Sequence, residues 1–341
     1  MRWEQVNPPP EECRCCTEPE CGVCEYFMKG WFPIREFDND NESDILWKII
    51  CAEKGGDAVE LTGAVIRRWL PSRDPWGHKG IFGKVYCLCG SVGYTGAPVF
   101  AGRAAVRGGS GLVYVGVPES VWSVVAAKSD EAMVFPLPDA AGKLSAAAEE
   151  TIRAQVAGCD AVLIGCGLGR GEESDAMVRR LLDLPQPLVL DADGINALAG
   201  HIDALERRRG AVTVLTPHEG EFSRIGTLSL SREAAASDFA RQNGVYVVLK
   251  GHRTVIAAPD GQLAVNPTGN SGMAKGGSGD VLAGLVLSLL GQGAKPFEAC
   301  CAAVYLHGLA GDLAARDKTE RGMTPTDLVE YLPAAYKEIE R

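Results

Sequence analysis

A glycine-rich segment that runs directly into an apolar helix pattern is the part of this sequence best suited to chemistry. It reads NPTGNSGMAKGGSGDVLAG over 266–284. A glycine loop that opens a helix exposes free backbone N–H groups and the positive end of the helix dipole, which together bind phosphate. Asp280 falls in the first turn of that helix. It is either a carboxylate that stabilises the helix dipole or a general base beside a transferred phosphoryl group.

Other loops also place polar residues directly after apolar runs. They are Gly165–Gly169, Asp191–Asn196, Thr216–Glu221 and Lys250–Thr254. In an open parallel sheet, ligands bind outside the carboxyl ends of the strands. We therefore expect these loops to meet at one edge of a sheet.

Two of these loops permit more than one interpretation. A lone histidine such as His218 is typical of a capping or surface position, and its H-E-x-E pattern lacks the second histidine of a zinc protease. Asp191 and Asp193 are suited to hold Mg²⁺ through water. The alternative is a strand-end aspartate that caps the helix starting near Gly194.

The usual nucleotide-binding signatures do not fit this sequence. It contains no G-x-x-x-x-G-K-[ST] loop. The third glycine of a G-x-G-x-x-G loop that starts at Gly165 would fall on Arg170. The motifs therefore argue against a dinucleotide-dependent oxidoreductase.

From about residue 60 onward, short β-branched runs alternate with alanine-rich helical runs. The predicted strands are Lys84–Cys89, Leu112–Val117, Ala161–Gly165, Pro187–Asp191, Val212–Thr216 and Val245–Lys250. The predicted helices are Leu61–Leu70, Ala97–Arg107, Ser145–Ala157, Ser174–Leu182, Arg232–Asn243, Ser278–Leu290 and Phe297–Ala315. This alternation predicts an α/β fold with a mainly parallel central sheet flanked by helices on both faces. The turn Pro259–Gly261 between Thr254–Ala258 and Gln262–Val265 predicts a hairpin that adds a small antiparallel edge.

Length, composition and charge restrict the class of protein. The chain has 341 residues, of which 46% are apolar, and this is enough to bury a sizeable core. Its net charge of −10 argues against a nucleic-acid partner. No stretch reads as a membrane span, and residues 1–10 lack the apolar region of a signal peptide. We therefore expect a cytoplasmic protein without membrane association, whose cysteines are thiols or metal ligands.

Residues 1–55 differ from the rest of the chain and form a predicted cysteine-rich extension that precedes the main domain over 56–341. They hold six of the twelve cysteines, together with a run of three prolines and an acidic stretch. Cys13, Cys16, Cys21 and Cys24 are candidate Zn²⁺ ligands, because zinc takes about four soft ligands at tetrahedral positions. The alternative is a poorly ordered extension without metal, since these cysteines lack the usual long loop between two ligand pairs.

Taken together and in order, the motifs resemble the ADP/ATP-dependent NAD(P)H-hydrate dehydratases of the ribokinase-like superfamily. The matching segments are 78–80, 82–83, 90–98, 191–196, 216–221, 249–251, 266–270 and 276–284. They extend from about residue 60 to the C-terminus. The resemblance implies the ribokinase-like three-layer α/β/α fold.

The resemblance also implies a repair reaction. The substrate would be hydrated NADH or NADPH (NADHX or NADPHX), phosphorylated on its ring hydroxyl by ADP or ATP with Mg²⁺. Phosphate is a much better leaving group than hydroxide, so its departure would regenerate the reduced nicotinamide. Two alternatives stay open: a ribokinase-like small-molecule kinase of a vitamin-precursor alcohol, and a non-catalytic nucleotide-binding regulatory protein.

The resemblance assigns roles to individual residues. Asp280 would be the base, and the backbone of Gly276, Gly277 and Gly279 would form the anion hole. The adenine nucleotide would contact Lys250, Gly251, His252, Arg253, Thr254 and Asn270. The hydrated dinucleotide would contact Ala97, Gly167, His218, Asn196 and Asp280, and Glu221 would lie near Mg²⁺.

The chain departs from the family pattern at a few positions. Cys166 stands where the family often has proline, and Ser278 stands where threonine is common. The epimerase domain fused to many bacterial relatives has no counterpart in residues 1–55, so an epimerase partner is expected on a separate chain. The resemblance suggests a homo-oligomer, specifically a tetramer.

Overall fold

The computed structural model describes residues 58–228 and 231–341, together with the backbone of two short strands near the N-terminus. These strands, β1 (Arg2–Gln5) and β2 (Trp31–Ile34), pair in antiparallel fashion. The predicted zinc ligands lie outside the described residues. They are Cys13, Cys16, Cys21 and Cys24.

The remaining elements alternate along the chain as the sequence pattern predicts. The strands are β3 (Val59–Glu60), β4 (Lys84–Leu88), β5 (Leu112–Pro118), β6 (Met133–Leu137), β7 (Asp139–Ala140), β8 (Lys143–Leu144), β9 (Ala161–Ile164), β10 (Leu188–Leu190), β11 (Thr213–Leu215), β12 (Tyr246–Leu249), β13 (Val255–Ala257) and β14 (Leu263–Val265). The helices are α1 (Gly63–Trp69), α2 (Gly96–Arg107), α3 (Glu119–Ala126), α4 (Ala148–Val156), α5 (Glu172–Leu181), α6 (Asp193–Asn196), α7 (Glu219–Ile225), α8 (Arg232–Asn243), α9 (Ser278–Gly291), α10 (Pro296–Lys318) and α11 (Pro325–Glu340). Two 3₁₀ turns cover Ile202–Arg208 and Ser271–Met273.

The large sheet has ten strands in the order β3-β14-β13-β12-β11-β10-β9-β4-β5-β6. Only β13 runs against the others in this sheet, since it pairs in antiparallel fashion with both β12 and β14. The predicted parallel sheet with a small antiparallel edge is therefore confirmed. Strand order reverses between β4 and β9, where Leu88 pairs with Ile164. Ligands of open α/β sheets bind at such a point, outside the carboxyl ends of the strands.

Alternate residues of each central strand face two separate apolar cores. In β4, Val85 and Cys87 pack towards α1, α2, α9, α10 and α11. Tyr86 and Leu88 pack on the opposite face towards α4, α5 and α8. All four side chains are fully buried, so both faces of the sheet contribute apolar burial to stability. The predicted three-layer α/β/α architecture is confirmed.

Some elements were not predicted from the sequence. Helix α11 begins at a capping box in which Thr324 and Asp327 exchange hydrogen bonds. Pro333 lies inside the helix. Because proline normally interrupts a helix, its presence argued against a helix in this part of the sequence. Strand β6 also contains a proline, Pro136, which an edge strand tolerates. No helix in the described segments is both long and apolar enough to cross a membrane.

Helix α9 is buried along almost its whole length between the sheet and α2. It carries only apolar or small residues from Val281 to Gly291. The closest approach is at Gly284, where a Cβ atom would clash with the carbonyl oxygen of Ala101 in α2. Ser288 donates to the Ala105 carbonyl at 3.0 Å, which fixes the same pair of helices. The position of the N-terminus of α9 is therefore set by close backbone packing.

We predict that Gly284→Ala destabilises the protein by about 1–3 kcal/mol, because the added methyl group forces α2 and α9 apart. Urea unfolding followed by circular dichroism measures this change. The control is Gly158→Ala, since Gly158 has no atom within 4 Å of a Cβ placed on it. Equal stability of the two variants would contradict the close helix contact.

Candidate functional site

The N-terminus of α9 is opened by a glycine turn that only glycine adopts without strain. Gly277 has φ +106°, and a Cβ atom there would lie 2.8 Å from the Phe100 ring. Gly276 has open space around it. The first N–H groups of a helix have no acceptor within the helix. A glycine turn at this point is suited to bind an anion, as the sequence predicts.

Asp280 occupies the first turn of α9, close to the ends of two strands. Oxygens of Asp280 and Asp191 and the sulfur of Cys166 lie within 4.8 Å of one another. Burial raises the pKa of Asp280 to about 7, and the negative charge of Asp191 adds to this effect. A carboxylate with this pKa suits proton transfer at neutral pH. This pKa favours the interpretation of Asp280 as a base over that of a carboxylate that only stabilises the helix dipole.

Asp191 and Lys250 form the ion pair beneath this helix. Lys250 Nζ lies 2.7 Å from Asp191 Oδ1, which also accepts a 2.7 Å hydrogen bond from Thr216 Oγ1. Burial alone would lower the pKa of Lys250, but the charges of Asp191 and Glu221 raise it above its usual value. A Cβ atom on Gly279 would lie 3.4 Å from Lys250 Nζ. The ammonium group is therefore charged and lies next to the anion-binding turn. We call Cys166, Asp191, Thr216, Lys250 and Asp280 the Asp280 cluster.

His218 caps helix α7, as one of the two sequence interpretations holds. Its Nδ1 accepts the Glu221 N–H at 3.2 Å, and Glu221 Oε2 accepts the His218 N–H at 2.9 Å. Since Nδ1 is an acceptor, the proton of a neutral ring resides on Nε2. The imidazole is 55% exposed. It is therefore held in place by the cap while one face stays open to a ligand.

Glu221 also faces the cluster, with Oε2 3.8 Å from Lys250 Nζ. Its carboxylate is buried and already bonded to the His218 backbone. It therefore fits Mg²⁺ only through an intervening water molecule, which is a usual mode for this ion.

Gly167 and Ala97 meet at the point where strand order reverses. Gly167 has φ +64°, and a Cβ atom there would lie 3.0 Å from the Ala97 Cβ. Ser91 Oγ donates to the Gly167 carbonyl at 2.8 Å, which links the loops after β4 and β9. The structure thus brings together two residues that the family resemblance assigns to the dinucleotide.

Asp191 and Asp193 make different hydrogen bonds in this structure. Asp193 accepts the Gly169 N–H at 2.9 Å and contacts the Asn196 amide at 3.3 Å, whereas Asp191 is bonded to Lys250. The two carboxylates therefore have different partners in the protein, and the Mg²⁺ pair that the sequence suggested stays a prediction. The helix cap proposed for the Asp191 side chain is wrong, because only its backbone carbonyl accepts the Gly194 N–H.

The predicted nucleotide contacts lie in two loops. Thr254 Oγ1 donates to the Gly251 carbonyl at 3.0 Å, and Arg232 donates to the His252 carbonyl at 2.7 Å. Arg253 is paired with Glu60 across the sheet edge. These bonds shape the loop that follows Lys250.

Asn270 lies in the second of these loops and has partners of its own. Its amide donates to Asp312 at 2.9 Å, and its oxygen accepts the Gly272 N–H at 3.0 Å. Asn270 therefore holds the glycine loop against α10.

Some residues of the site were missed at the sequence level. The sequence analysis assigned no role in the site to Thr216 or Cys166, although both contact Asp191. Ser278 Oγ and His307 Nε2 are buried side-chain atoms near the start of α9 that bond to no other described group. Burial lowers the pKa of His307 to about 4, so its imidazole is neutral. These four residues come together only through tertiary packing, and no local sequence pattern shows that they do.

The site has the parts that phosphoryl transfer requires. It combines a helix N-terminus opened by glycines, a lysine and a buried carboxyl group, placed at the carboxyl edge of a mainly parallel α/β sheet. Such parts can position and neutralise a phosphoryl group and accept a proton from its acceptor. Fold and site together define an α/β protein of the phosphoryl-transfer class.

Comparison with known proteins narrows this class to one family. The family model described as NAD(P)H-hydrate dehydratase matches residues 85–334. The chain therefore belongs to the NAD(P)H-hydrate dehydratase family, as the sequence motifs predict.

Two kinds of curated relative are similar to this chain. The bifunctional NAD(P)H-hydrate repair enzyme of Moorella thermoacetica is 44% identical over 287 residues, which cover 82% of this chain and 54% of the relative. The ADP-dependent (S)-NAD(P)H-hydrate dehydratase of Bacillus subtilis is 37% identical over 281 residues, which cover 81% of this chain and 96% of the relative. The chain thus spans about half the length of the bifunctional relatives that it matches.

Solved structures agree on the fold. The ADP/ATP-dependent NAD(P)H-hydrate dehydratase from Bacillus subtilis, co-crystallised with ATP and Mg²⁺, superposes with a TM-score of 0.71 at 32% identity. The superposition covers 83% of this chain and 99% of the other.

We predict that Asp280→Asn is more stable than the wild type. The difference in their free energies of unfolding should increase with pH. A folded-state pKa near 7 lies above the value of about 4 in an unfolded chain, so wild-type stability is lost as pH rises through 7. Asparagine carries no such penalty. Urea unfolding at pH 5 and pH 8 measures the difference, which we expect to increase by about 2 kcal/mol.

The matched control is Asp203→Asn, because Asp203 is an exposed aspartate outside the site. Its stability relative to wild type should not change between the two pH values. A constant difference for Asp280→Asn would show that the Asp280 carboxyl has an ordinary pKa.

Proposed function

We propose that this protein dehydrates hydrated NADH and NADPH, using ADP or ATP to phosphorylate the ring hydroxyl. The observation that carries the proposal is the Asp280 carboxyl, whose pKa burial raises to about 7, at the anion-binding turn of α9. Membership of the dehydratase family supports this substrate class. The ATP and Mg²⁺ named for the Bacillus subtilis structure support the choice of phosphoryl donor.

In the proposed first step, Asp280 accepts the proton of the ring hydroxyl. The hydroxyl oxygen forms a bond to the terminal phosphorus of the nucleotide, and the bond from that phosphorus to its bridging oxygen breaks. AMP leaves when ADP is the donor, and ADP leaves when ATP is the donor. The N–H groups of Gly276, Gly277 and Gly279 stabilise the charge on the migrating phosphoryl group.

In the proposed second step, the electron pair of the ring nitrogen expels phosphate as the C–O bond breaks. A proton then leaves the neighbouring carbon, which restores the ring double bond without any oxidant or reductant. Lys250 and the helix N-terminus offset the charge of the departing phosphate. Mg²⁺ neutralises the nucleotide phosphates when it is bound, and Glu221 would hold it through water.

The other proposed contacts with the two nucleotides come from the loops at the carboxyl edge of the sheet. Ala97, Gly167, His218 and Asn196 would hold the hydrated dinucleotide, next to the point where strand order reverses. His218 supports this assignment best, because its ring is fixed by the cap and half exposed. The loop 250–254 and Asn270 would hold the adenine nucleotide.

We further propose that residues 56–341 form the catalytic unit and that the protein works in the cytoplasm as a homo-oligomer. An NAD(P)H-hydrate epimerase on another chain would be its functional partner. The bifunctional names of the longer relatives support this link. A Zn²⁺ site at Cys13, Cys16, Cys21 and Cys24 stays a separate proposal about the extension.

The first test is recovery of 340-nm absorbance when the protein is added to hydrated NADH with Mg²⁺ and either ADP or ATP. We expect recovery with at least one nucleotide, and a loss of kcat of about 100-fold or more in Asp280→Asn. Asp203→Asn is the control and should keep wild-type activity. Full activity of Asp280→Asn would rule out the proposed base.

The same reaction separates the alternative functions by product analysis. A dehydratase releases inorganic phosphate with the reduced dinucleotide, whereas a small-molecule kinase leaves a stable phosphorylated alcohol that mass spectrometry detects. A nucleotide-binding protein without catalysis would bind ADP by calorimetry and release neither product.

The second test is the pH dependence of kcat/KM. Asp280 must be ionised to accept a proton, so activity should rise with pH and level off above about 7. The charge of Glu221 helps to raise the pKa of Asp280, after burial and Asp191, so Glu221→Gln should move the midpoint to lower pH. An unchanged or higher midpoint in this variant would contradict the charge coupling.

A further inference from the structure

Cys166 places a thiol between the two carboxylates of the site. Its Sγ lies 3.5 Å from Asp191 Oδ2, and all three ligand atoms of Cys166, Asp191 and Asp280 fall within 4.8 Å of one another. Among the described residues, this is the group of side chains whose geometry suits a metal ion.

The ligand atoms of this group contact one another in the interior of the site. Asp191 uses Oδ1 for Lys250 and Thr216, which leaves Oδ2 facing the sulfur. Cys166 and Asp191 are almost fully buried.

The charge balance also favours a cation. Asp191, Glu221 and Asp280 converge on this point, and Lys250 is the cation that is paired with them. A divalent ion would relieve the mutual repulsion of these carboxylates.

We propose that Cys166, Asp191 and Asp280 form a binding site for a thiophilic divalent cation, namely Zn²⁺ or Cd²⁺. An ion bound at this site would stop the reaction, because Asp280 could no longer accept a proton. This consequence rests on the function proposed above. Thiolate selects soft ions, whereas Mg²⁺ prefers oxygen ligands. The site therefore distinguishes an inhibitory ion from the Mg²⁺ that accompanies the nucleotide.

Binding exchanges protons for the metal and involves no redox change. The Cys166 S–H bond breaks, a sulfur–metal bond forms, and the thiol proton goes to solvent. A hydrogen bond with Cys89 lowers the pKa of Cys166, but burial and the charges of Asp191 and Asp280 raise it well above the usual range. Affinity should therefore increase with pH.

The direct test is a titration of the full-length protein, reduced with a phosphine, with Cd²⁺ alone. The ultraviolet thiolate-to-cadmium charge-transfer band reports the binding. We expect Cys166→Ser to bind one ion fewer than wild type, or to bind that ion at least about tenfold more weakly. The control Cys159→Ala removes a buried thiol elsewhere and should match wild type.

Comparison of variants within the full chain separates this site from the cysteines of residues 1–55. Cys166→Ala provides a second variant if serine disturbs the fold, which thermal unfolding checks. Identical Cd²⁺ binding by wild type and both Cys166 variants would overturn the proposal. This outcome is independent of the enzymatic reaction, because the titration contains no substrate.

A second experiment measures the rate of dehydration in excess Mg²⁺ while Zn²⁺ is added. We expect inhibition that more Mg²⁺ does not relieve, that a chelator reverses, and that requires about tenfold more Zn²⁺ in Cys166→Ser. Equal sensitivity of wild type and variant would place the inhibitory zinc elsewhere and contradict the proposal. A wild type without any dehydratase activity would instead refute the proposed function, while Cd²⁺ binding would still decide the metal site.

Discussion

The buried ion pair between Asp191 and Lys250 is the interaction on which the site depends. It joins the ends of β10 and β12 at 2.7 Å, directly below the first turn of α9. An unpaired charge at this depth would be strongly destabilising. Loss of either side chain would therefore leave the other charge buried without a partner. The pair keeps a positive charge beside the anion-binding turn and a negative charge beside Asp280. In the proposed mechanism, the positive charge attracts the phosphate, and the negative charge helps to raise the pKa of the Asp280 carboxyl.

The fold supplies this interaction through its strand order. Parallel strands bring the ends of β9, β10, β11 and β12 to one edge, and reversal of order between β4 and β9 opens a crevice beside them. Helix α9 is apolar along its length because it lies between the sheet and its neighbouring helices. Close backbone contact at Gly284 then holds its N-terminus over the ion pair. A site of this precision needs such rigid support.

The sequence was informative where the physical signal is local. Glycines that open a helix and the carboxylate behind them identified Asp280, and the loops after successive strands identified His218 and Lys250. The Asp191–Lys250 pair joins residues 59 positions apart, and no local pattern shows that they meet. The same holds for Thr216 and Cys166, whose partners lie on other strands. Helix α11 was missed because Pro333 interrupts its pattern, although its capping box and Pro325 mark its start.

The most direct test of the account is a crystal structure with a non-hydrolysable ATP analogue and Mg²⁺. We expect the terminal phosphate to accept hydrogen bonds from the backbone N–H groups of the 276–279 turn. We also expect Asp280 to lie beside the phosphorus, with its carboxylate facing the open end of the crevice. A terminal phosphate bound away from the start of α9, with Asp280 out of reach, would contradict the claim that this helix N-terminus and its carboxylate carry out the chemistry.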